Sequence, residues 1–519
     1  MRSHLFKVTW LALSVFVMFD AQALTLKEAA QEAVLRNPEV QQRWHVFKAA
    51  SENIETARAG YWPKLDASAG LSRERYRYSD PVRVDRDYTS RGLGVFLNQM
   101  LYDGFATRSE IERLGYAQRV RYFELLDASE GAALEASRAY NDVLRYRKLY
   151  ALTQANYIQH RVVFEQMQDR VKSRVGRRVD LEQASGRLAL AESNLLTEAG
   201  NLYDVSSRYA RIVGKLPPAS LEEPEVLKAG LPSATSEAIL KAYEQSPTLA
   251  AAQENIMAAQ GAVQRSRAAL HPHLFLRAGR EWTWNDETYD GRAVHDSIGL
   301  VLNYNLYNGG ADKSAERRYL HEVDAAKDQR DKACRDIRQT VAIAHNDIRR
   351  LREQIAFLDQ HQLATEKARD AYRMQFNVGQ RTLLDLLDTE NELFDARRAY
   401  VNALHDHAQV HFNLQAGMGR LLATLGLQPL ETPELVDAKE RAEFDPQRLC
   451  PPEVADQMLV DKDRIYAEAI AANPDLLRQP LLEDIDDDGV SDAVDKCLDT
   501  PPDTPVGSDG CPRAKAEVK

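Results

Sequence analysis

The sequence predicts an α+β membrane protein, in which a transmembrane β-barrel continues into a long α-helical barrel and each chain consists of two similar halves. Three observations predict this fold: strand-like segments with alternating apolar and polar residues, long helical stretches without proline, and a tandem duplication of the whole pattern. A strand of about ten residues with one apolar and one polar face is typical of a transmembrane barrel.

The N-terminus is predicted to be a secretory signal peptide, residues 1–23. Arg2 and Lys7 precede an apolar run at residues 8–19, and an A-x-A cleavage site follows and ends at Ala23. The run is shorter than the ~20 residues that a membrane-spanning helix needs. We therefore expect the mature protein to lie outside the inner membrane. An uncleaved anchor is the alternative.

Charge and hydropathy exclude several classes of function. The net charge of −11 argues against a nucleic-acid partner, because phosphate binding requires a basic surface. Mean hydropathy is −0.48, and no later run reaches about 18 consecutive apolar residues, so a membrane crossing would need a β-barrel. The sequence has no phosphate-binding loop, G-x-S-x-G motif or dinucleotide fingerprint, and we expect no enzyme.

The second half of the chain repeats the first, over residues 24–220 and 221–430. Four landmarks occur in the same order and at nearly constant spacing in both halves, which makes a chance match improbable. The matching pairs are Asn37-Pro38 with Ser246-Pro247, residues 57–63 with 266–272, residues 97–104 with 302–309, and Val175-Gly176 with Val378-Gly379.

Two segments of each half are predicted strands. Apolar and polar residues alternate most clearly at residues 65–72 and 297–306, and less regularly at residues 93–101 and 274–284. Aromatic residues near the strand ends favour a membrane girdle over the alternative, a strand of a soluble sandwich. These aromatic residues are Tyr76, Tyr78, Trp282, Trp284 and Tyr307.

Between the strands, each half is predicted to form a helical hairpin. The runs at residues 104–176 and 309–379 contain no proline, and each ends at a glycine after which a second helix begins. Each run could extend about 100 Å, and helices of that length require coiled-coil partners. Four strands per chain cannot close a membrane barrel, which needs at least about eight. We therefore expect several identical chains to share one barrel.

Two motifs in the hairpins resemble the TolC family. Residues 374–397 (MQFNVGQRTLLDLLDTENELFDAR) resemble its second-repeat signature, and residues 175–184 (VGRRVDLEQA) resemble its first. The resemblance covers residues 24–427. It implies a homotrimer with a β-barrel in the outer membrane and an α-helical barrel in the periplasm. It also implies that the channel opens on meeting a periplasmic adaptor (membrane fusion) protein and an inner-membrane ABC transporter or proton-driven pump, and that it catalyses no reaction.

By the same resemblance, Arg381 is expected to lock a gate at the periplasmic tip, and Asp385 and Asp388 are expected to line its constriction. The two aspartates are three residues apart and share a helix face, so their copies in a trimer would form a ring of carboxylates that attracts cations. Asp180, in the first tip, is an expected partner. The alternative is that Asp385 and Asp180 belong to capping boxes that only begin helices.

Two further patterns are less specific. His407 and His411 are four residues apart, which suits a metal, but no third ligand or HExxH pattern accompanies them, and a solvated or packed helix face is favoured. Cys334 and Cys450 have no cysteine near them in the sequence, and Cys334 is expected to be an unreactive core residue.

A linker at residues 431–480 leads to a tail at residues 481–519 that has the ligand spacing of a calcium loop. Aspartates occupy positions 1, 3, 5, 9 and 12 of the loop, and a glycine occupies position 6. The predicted calcium ligands are Asp484, Asp486, Asp488, Asp492 and Asp495. Together with Cys497 and Cys511, the segment resembles a thrombospondin type 3 repeat, which implies a disulfide in the oxidising periplasm. The alternative is an acidic tail without a fold.

These observations predict a passive export duct in the outer membrane. Type I protein secretion is the favoured use, because the expected mature N-terminus lacks the lipid-anchored cysteine that many efflux members carry. The calcium-type tail suggests an adhesin or repeat protein as the cargo. The alternatives are the outer-membrane component of a drug or metal efflux pump and a periplasmic coiled-coil scaffold that never enters the membrane.

Overall fold

A computed structural model describes residues 24–78, 84–285, 290–432, 449–453, 460–474, 490, 496–497, 500–501, 506 and 511–512. The chain divides into two units, Met1–Val454 and Ala455–Lys519. In the second unit, the structure describes one helix, Lys462–Ala472 (α10). The predicted signal peptide and the five predicted calcium ligands lie outside the described residues.

The first unit contains the same sequence of elements twice. The first half comprises α1 (Leu26–Arg36), α2 (Pro38–Arg58), β1 (Lys64–Tyr78), β2 (Val84–Tyr102), α3 (Ala106–Lys172) and α4 (Arg178–Val213). The second half comprises α5 (Thr235–Gln245), α6 (Pro247–Arg267), β3 (His273–Trp284), β4 (Arg292–Asn303), α7 (Ala311–Asn377) and α8 (Leu383–Gly417), followed by the short α9 (Leu421–Leu425). The long helices α3 and α7 have the same length, 67 residues. The prediction of long helices with a small sheet is confirmed.

The repeated Asn-Pro and Ser-Pro landmarks begin α2 and α6. The side chain of Asn37 accepts a hydrogen bond from Glu39 N, and that of Ser246 accepts one from Leu249 N. The proline that follows each of them occupies the first helical turn. Backbone N–H groups in this turn have no partner within the helix, so a residue without an N–H is tolerated there. The landmarks therefore recur because the same helix start is needed twice.

The four strands form one antiparallel sheet in the order β1-β2-β3-β4. Leu65, Leu97, Ala278 and Ile298 form one row across it. Side chains in such a row point to the same face of the sheet. Leu65 and Ile298 are 70% and 79% exposed in the single chain, so this face presents apolar side chains that the chain itself does not cover.

The predicted strand bounds were wrong at both ends of the sheet. β1 and β2 have 15 and 19 residues. Both are longer than their apolar alternation, because charged side chains pair across the two strands beyond the point where the alternation ends. Arg73 pairs with Asp87 at 3.1 Å across the two strands, and such cross-strand pairs stabilise a sheet. β4 ends at Asn303, so Tyr304 and Leu306 lie outside it although they continue the alternation.

Among the helices that the structure describes, none is both long enough and apolar enough to cross a membrane. α3 packs against α4, α6 and α8, and α7 packs against α6 and α8. In the main core, the Tyr140 hydroxyl donates to the carbonyls of Leu24 and Glu222 at 2.7 and 2.6 Å. This side chain thereby holds both ends of the first half against α3.

Cys334 and Cys450 form a disulfide, so the expectation that each stands alone was wrong. Cys334 is buried in the core around α5 and α7, as expected, but its partner comes from a segment 116 residues further along the chain. The guanidinium of Arg338 donates to the carbonyl of Pro451 at 3.0 Å. The segment after the second half is therefore fixed to α7 by one covalent bond and one hydrogen bond.

Candidate functional site

The candidate gate residues lie at two tips, where α3 turns into α4 and α7 turns into α8. A hydrophobic cluster joins these four helices near the tips; it contains Val163, Met167, Ala184, Phe376, Leu383, Leu386 and Leu387. The guanidinium of Arg170 lies 5.2 Å from the centre of the Phe376 ring, across the two hairpins. The tips of the two halves therefore pack as one cluster.

Glycine is required at both turns, for different reasons. Gly379 has a φ of 81°, a left-handed conformation in which other residues are strained. Gly176 has no such φ, but a Cβ there would lie 2.9 Å from the Cβ of Arg170. Both nitrogens at residues 175 and 176 donate to the Arg170 carbonyl. The glycine therefore recurs for two different reasons: residue 379 needs the left-handed conformation, and residue 176 has no room for a Cβ beside Arg170.

Asp385 stabilises the start of α8. Its carboxylate accepts hydrogen bonds from the backbone N and the hydroxyl of Thr382, at 2.9 and 2.8 Å, and the Thr382 hydroxyl accepts one from Asp385 N. This is a capping box. The hydrogen bonds from Thr382, together with the charge of Arg381, lower the pKa of Asp385 below its usual value, so the carboxylate is ionised at neutral pH.

Asp388 connects the second hairpin to the first. Its carboxylate lies 2.6 Å from the guanidinium of Arg187 on α4. The Asp388 side chain is 53% exposed and that of Arg187 is 34% exposed, so solvent screens the pair. Arg187 was not identified from the sequence, because 201 residues separate it from Asp388 and nothing local to either residue indicates the other.

Arg381 precedes the first residue of α8 and therefore does not share a helix face with Asp385. Its Nε donates to the side chain of Gln375 at 3.2 Å, and its guanidinium lies 4.5 Å from the centre of the Tyr372 ring. Both partners belong to the last turns of α7. Arg381 therefore holds the turn against α7, and its positive charge also contributes to the lowered pKa of Asp385.

Asp180 does not begin a helix, so the capping alternative for this residue was wrong. The residue before α4 is Arg177, which makes no side-chain cap, and Asp180 lies inside the first turn. An acidic residue there is favourable, because it interacts with the positive end of the helix dipole. Within the part of the chain that the structure describes, no hydrogen bond or ion pair joins Asp180 to the three residues of the second tip.

A buried ion cluster lies behind the tip, on α7 and α8. Glu390, with only 6% of its side chain exposed, contacts Arg373 at 2.8 Å and Arg369 at 3.2 Å. Next to it, His160 of α3 lies 3.1 Å from the side-chain oxygen of Asn391. Sequence reasoning missed this cluster although Glu390 stands inside the second-repeat motif. The sequence alone does not show that the Glu390 side chain is buried.

In the second unit, Cys497 and Cys511 form a disulfide with a Cα–Cα distance of 5.1 Å. Next to it, Val506 and Pro512 form an antiparallel bridge. The described residues contain no group of three or more metal-binding side chains. The calcium loop, whose aspartates are not among them, stays a prediction of the sequence.

Comparison with known proteins bears on the whole first unit. A family profile described as "Outer membrane efflux protein" matches residues 29–215 and 238–420. The chain is 28% identical over 413 residues to the outer membrane efflux protein BepC of Brucella suis, covering 78% of this chain and 87% of that protein. It is 24% identical over 421 residues to the outer membrane protein TolC of Escherichia coli, with 77% and 83% covered.

A further relative is the alkaline protease secretion protein AprF of Pseudomonas aeruginosa, 26% identical over 429 residues, with 77% of this chain and 86% of that protein covered. Among solved structures, the Campylobacter jejuni CmeC outer membrane channel aligns with a TM-score of 0.68 at 14% identity, over 78% of this chain and 87% of that one. The outer-membrane channel OprN aligns with a TM-score of 0.66 at 16% identity, over 76% and 89%. These structures have the same fold as the first unit.

Proposed function

The chain belongs to the outer membrane efflux protein family, and from this we propose that it is the passive outer-membrane duct of a three-component export system. It is an outer-membrane protein with a large periplasmic portion. In this proposal a periplasmic adaptor protein and an inner-membrane transporter supply recognition and energy, and the duct itself catalyses no reaction. The family match over both halves carries the proposal.

The edges of the sheet support the further proposal of a homotrimer with one shared barrel. β1 and β4 are the outer strands of the described sheet, and an edge strand presents unpaired backbone groups that cost several kcal/mol each in lipid. Pairing β1 of one copy with β4 of the next removes both edges. Three copies supply enough strands for a barrel, whereas one does not.

Light scattering of the detergent-purified protein and ion conduction across a planar bilayer test this proposal together. We expect the mass of a trimer and discrete single-channel currents. A monomer that conducts no ions would contradict the duct and would favour the coiled-coil scaffold.

For the transported substrate, we propose type I protein secretion. The relative AprF is named as a secretion protein for alkaline protease. The match to BepC, which is named as an efflux protein, favours drug or metal efflux as the second candidate. Deleting the gene distinguishes them: loss of a secreted protein supports the first, and increased sensitivity to drugs or metals supports the second.

We further propose that the carboxylates of Asp385 and Asp388 form the gate. The double variant Asp385→Asn/Asp388→Asn keeps an oxygen at the capping position but removes both charges. We expect roughly twofold larger single-channel currents and a weaker preference for cations, because a carboxylate ring attracts cations and holds an aperture through charge pairs. Planar-bilayer recordings with a salt gradient measure both quantities.

Two controls separate charge from helix capping in this experiment. Glu392→Gln changes an exposed charge on the same helix and should leave the currents unchanged. Asp385→Ala removes the charge and also the side-chain half of the capping box, in which the Asp385 carboxylate accepts from Thr382. If the Asn double variant conducts like the native protein, the gate assignment is wrong, whatever the Ala variant does.

A further inference from the structure

A cavity of about 430 Å³ in the first unit is lined by basic side chains from three elements. Lys228 and Ser233 belong to the segment between the two halves, His345, Arg349 and Arg352 belong to α7, and His411 belongs to α8. No aspartate or glutamate is among the side chains that line it. We call this cavity the basic pocket.

Two acidic groups on the helices beside the pocket are engaged with other partners. On α7, Asp347 accepts from Arg350 at 3.1 Å. On α5, which also packs against α7, Glu237 pairs with Lys241 at 2.9 Å. The lining thus holds three positive charges and no carboxylate, and like charges close together repel each other unless an anion is present.

Of two neighbouring histidines of α8, His411 lines the pocket and His407 lies one helical turn before it. His411 is 1% exposed, and its Nδ1 lies 2.8 Å from the carbonyl of His407, so Nδ1 carries the proton and Nε2 remains available. The rings of His407 and His411 are 4.5 Å apart. The Nε2 atom of His407 is buried and has no hydrogen-bond partner in the described residues, and a buried polar atom of this kind requires an explanation.

Electrostatics indicates the sign of the missing group. Burial, the neighbouring His411 and the charges of Lys228 and Arg352 together lower the pKa of His407 to about 4. The pKa of His411 is lowered by burial and by the same two cations, although its bond to the His407 carbonyl opposes this. Burial is the largest cause of both shifts, and the sign of the expected ligand follows from the lining: the positive charges of Lys228, Arg349 and Arg352 repel a metal ion and attract an anion.

His345 has a different role, because both of its ring nitrogens are occupied. Nδ1 lies 3.0 Å from the hydroxyl of Thr235, and Nε2 lies 3.2 Å from the carbonyl of Pro232. These contacts fix the segment between the halves against α7. His345 itself lines the basic pocket, so these contacts also hold one wall of it.

We propose that the basic pocket binds a tetrahedral oxyanion of the size of phosphate or sulfate, held by Lys228, Arg349 and Arg352, and that His411 donates a further hydrogen bond to it when its Nε2 is protonated. Guanidinium groups match the oxygen spacing of such anions and are weakly hydrated, which suits a partly buried site. The bound anion would connect the segment between the halves, α7 and α8. It would also remove the repulsion among their cations.

Isothermal titration calorimetry of the full-length, detergent-purified protein with sodium sulfate tests the proposal, with sodium chloride at equal ionic strength as the blank. Sulfate stays a dianion between pH 6 and 8, so its own titration does not confuse the result. We expect saturable sulfate binding that is absent with chloride. We also expect the affinity to increase from pH 8 to pH 6, because a bound anion raises the pKa of both histidines and binding then takes up protons.

The variant Arg349→Gln/Arg352→Gln should bind sulfate at least about tenfold more weakly, since it loses two positive charges and their charge-assisted hydrogen bonds. Arg350→Gln is the matched control on the same helix, because Arg350 pairs with Asp347 and does not line the pocket. Lys228→Gln changes an exposed residue and should weaken binding without affecting folding. Inorganic phosphate should compete with sulfate for the same site.

Three outcomes would overturn the proposal. The first is that neither sulfate nor phosphate binds to the native protein. The second is that Arg350→Gln weakens binding as much as the double variant, which would indicate a general charge effect. The third is that zinc chloride binds through His407 and His411 while the oxyanions do not. None of these outcomes bears on channel conductance, so the proposed duct and the basic pocket are tested separately.

Discussion

Replacing Glu390 with Leu is expected to destabilise the α7–α8 hairpin by about 3 kcal/mol, because Arg369 and Arg373 then lose their shared carboxylate. The Arg369 side chain is only 13% exposed and the Glu390 side chain 6%, so water does not replace the lost partner. Asp370 stays 2.9 Å from Arg369 and limits the loss to the lower part of the usual range of about 3–5 kcal/mol.

Hydrogen–deuterium exchange of the tip measures this effect. Amides near Glu390 on α8 should exchange about a hundredfold faster in the variant, since each 1.4 kcal/mol corresponds to a factor of ten. Glu392→Leu, on an exposed position two residues away, is the control. A triple variant with Arg369→Met and Arg373→Met should recover most of the protection. If it does not, the loss comes from packing and not from uncompensated charge.

A second large effect is expected at Glu130, whose carboxylate accepts hydrogen bonds from Leu421 N at 3.0 Å and Leu422 N at 3.3 Å. These are the first amides of α9, so Glu130 holds the end of the second half against α3. Burial raises the pKa of Glu130 from 4.5 to about 7, and Asp127 contributes, although the two amides oppose the shift.

The sign of the pH dependence follows from this raised pKa. Between pH 4.5 and about 7 the folded protein keeps a proton on Glu130 that the unfolded chain has already released. Folding stability therefore decreases as the pH rises through this interval. The total loss is about 3 kcal/mol, from about 1.4 kcal/mol per pKa unit.

Chemical denaturation at pH 5 and pH 8 measures this difference. In Glu130→Gln, an amide oxygen replaces the carboxylate and does not titrate, so the variant should be more stable than the native protein at pH 8 and similar at pH 5. Glu135→Gln, one helical turn away and 47% exposed, should keep the native pH dependence. Equal pH dependence in the Glu130 variant and the native protein would contradict the prediction.

The sequence predicted the features that depend on neighbouring residues. The glycine turn at residue 379 and the Thr382–Asp385 cap require only a few adjacent residues, and the hairpin helices follow from long runs without proline. The charged extension of β1 and β2 was missed. Arg73 and Asp87 pair with each other across the two strands, and they do not continue the apolar alternation from which the strands were predicted.

Pairs that join distant segments could not be predicted in this way. The Cys334–Cys450 disulfide and the Arg187–Asp388 pair connect residues 116 and 201 positions apart. The His407–His411 spacing suited a metal but favoured a solvated or packed helix face, and the cations that act on the two rings, Lys228 and Arg352, come from other elements. Such contacts depend on which helices become neighbours, and a single sequence does not contain that information.

The equal length of α3 and α7 limits how this protein can change during evolution. Adding one heptad to a single helix would move its tip by about 10 Å, away from the apolar cluster that now joins the two turns. The returning helix would need the same addition to stay in register. Any change in reach must therefore be made in all four long helices at once, so the two halves can lengthen or shorten only together.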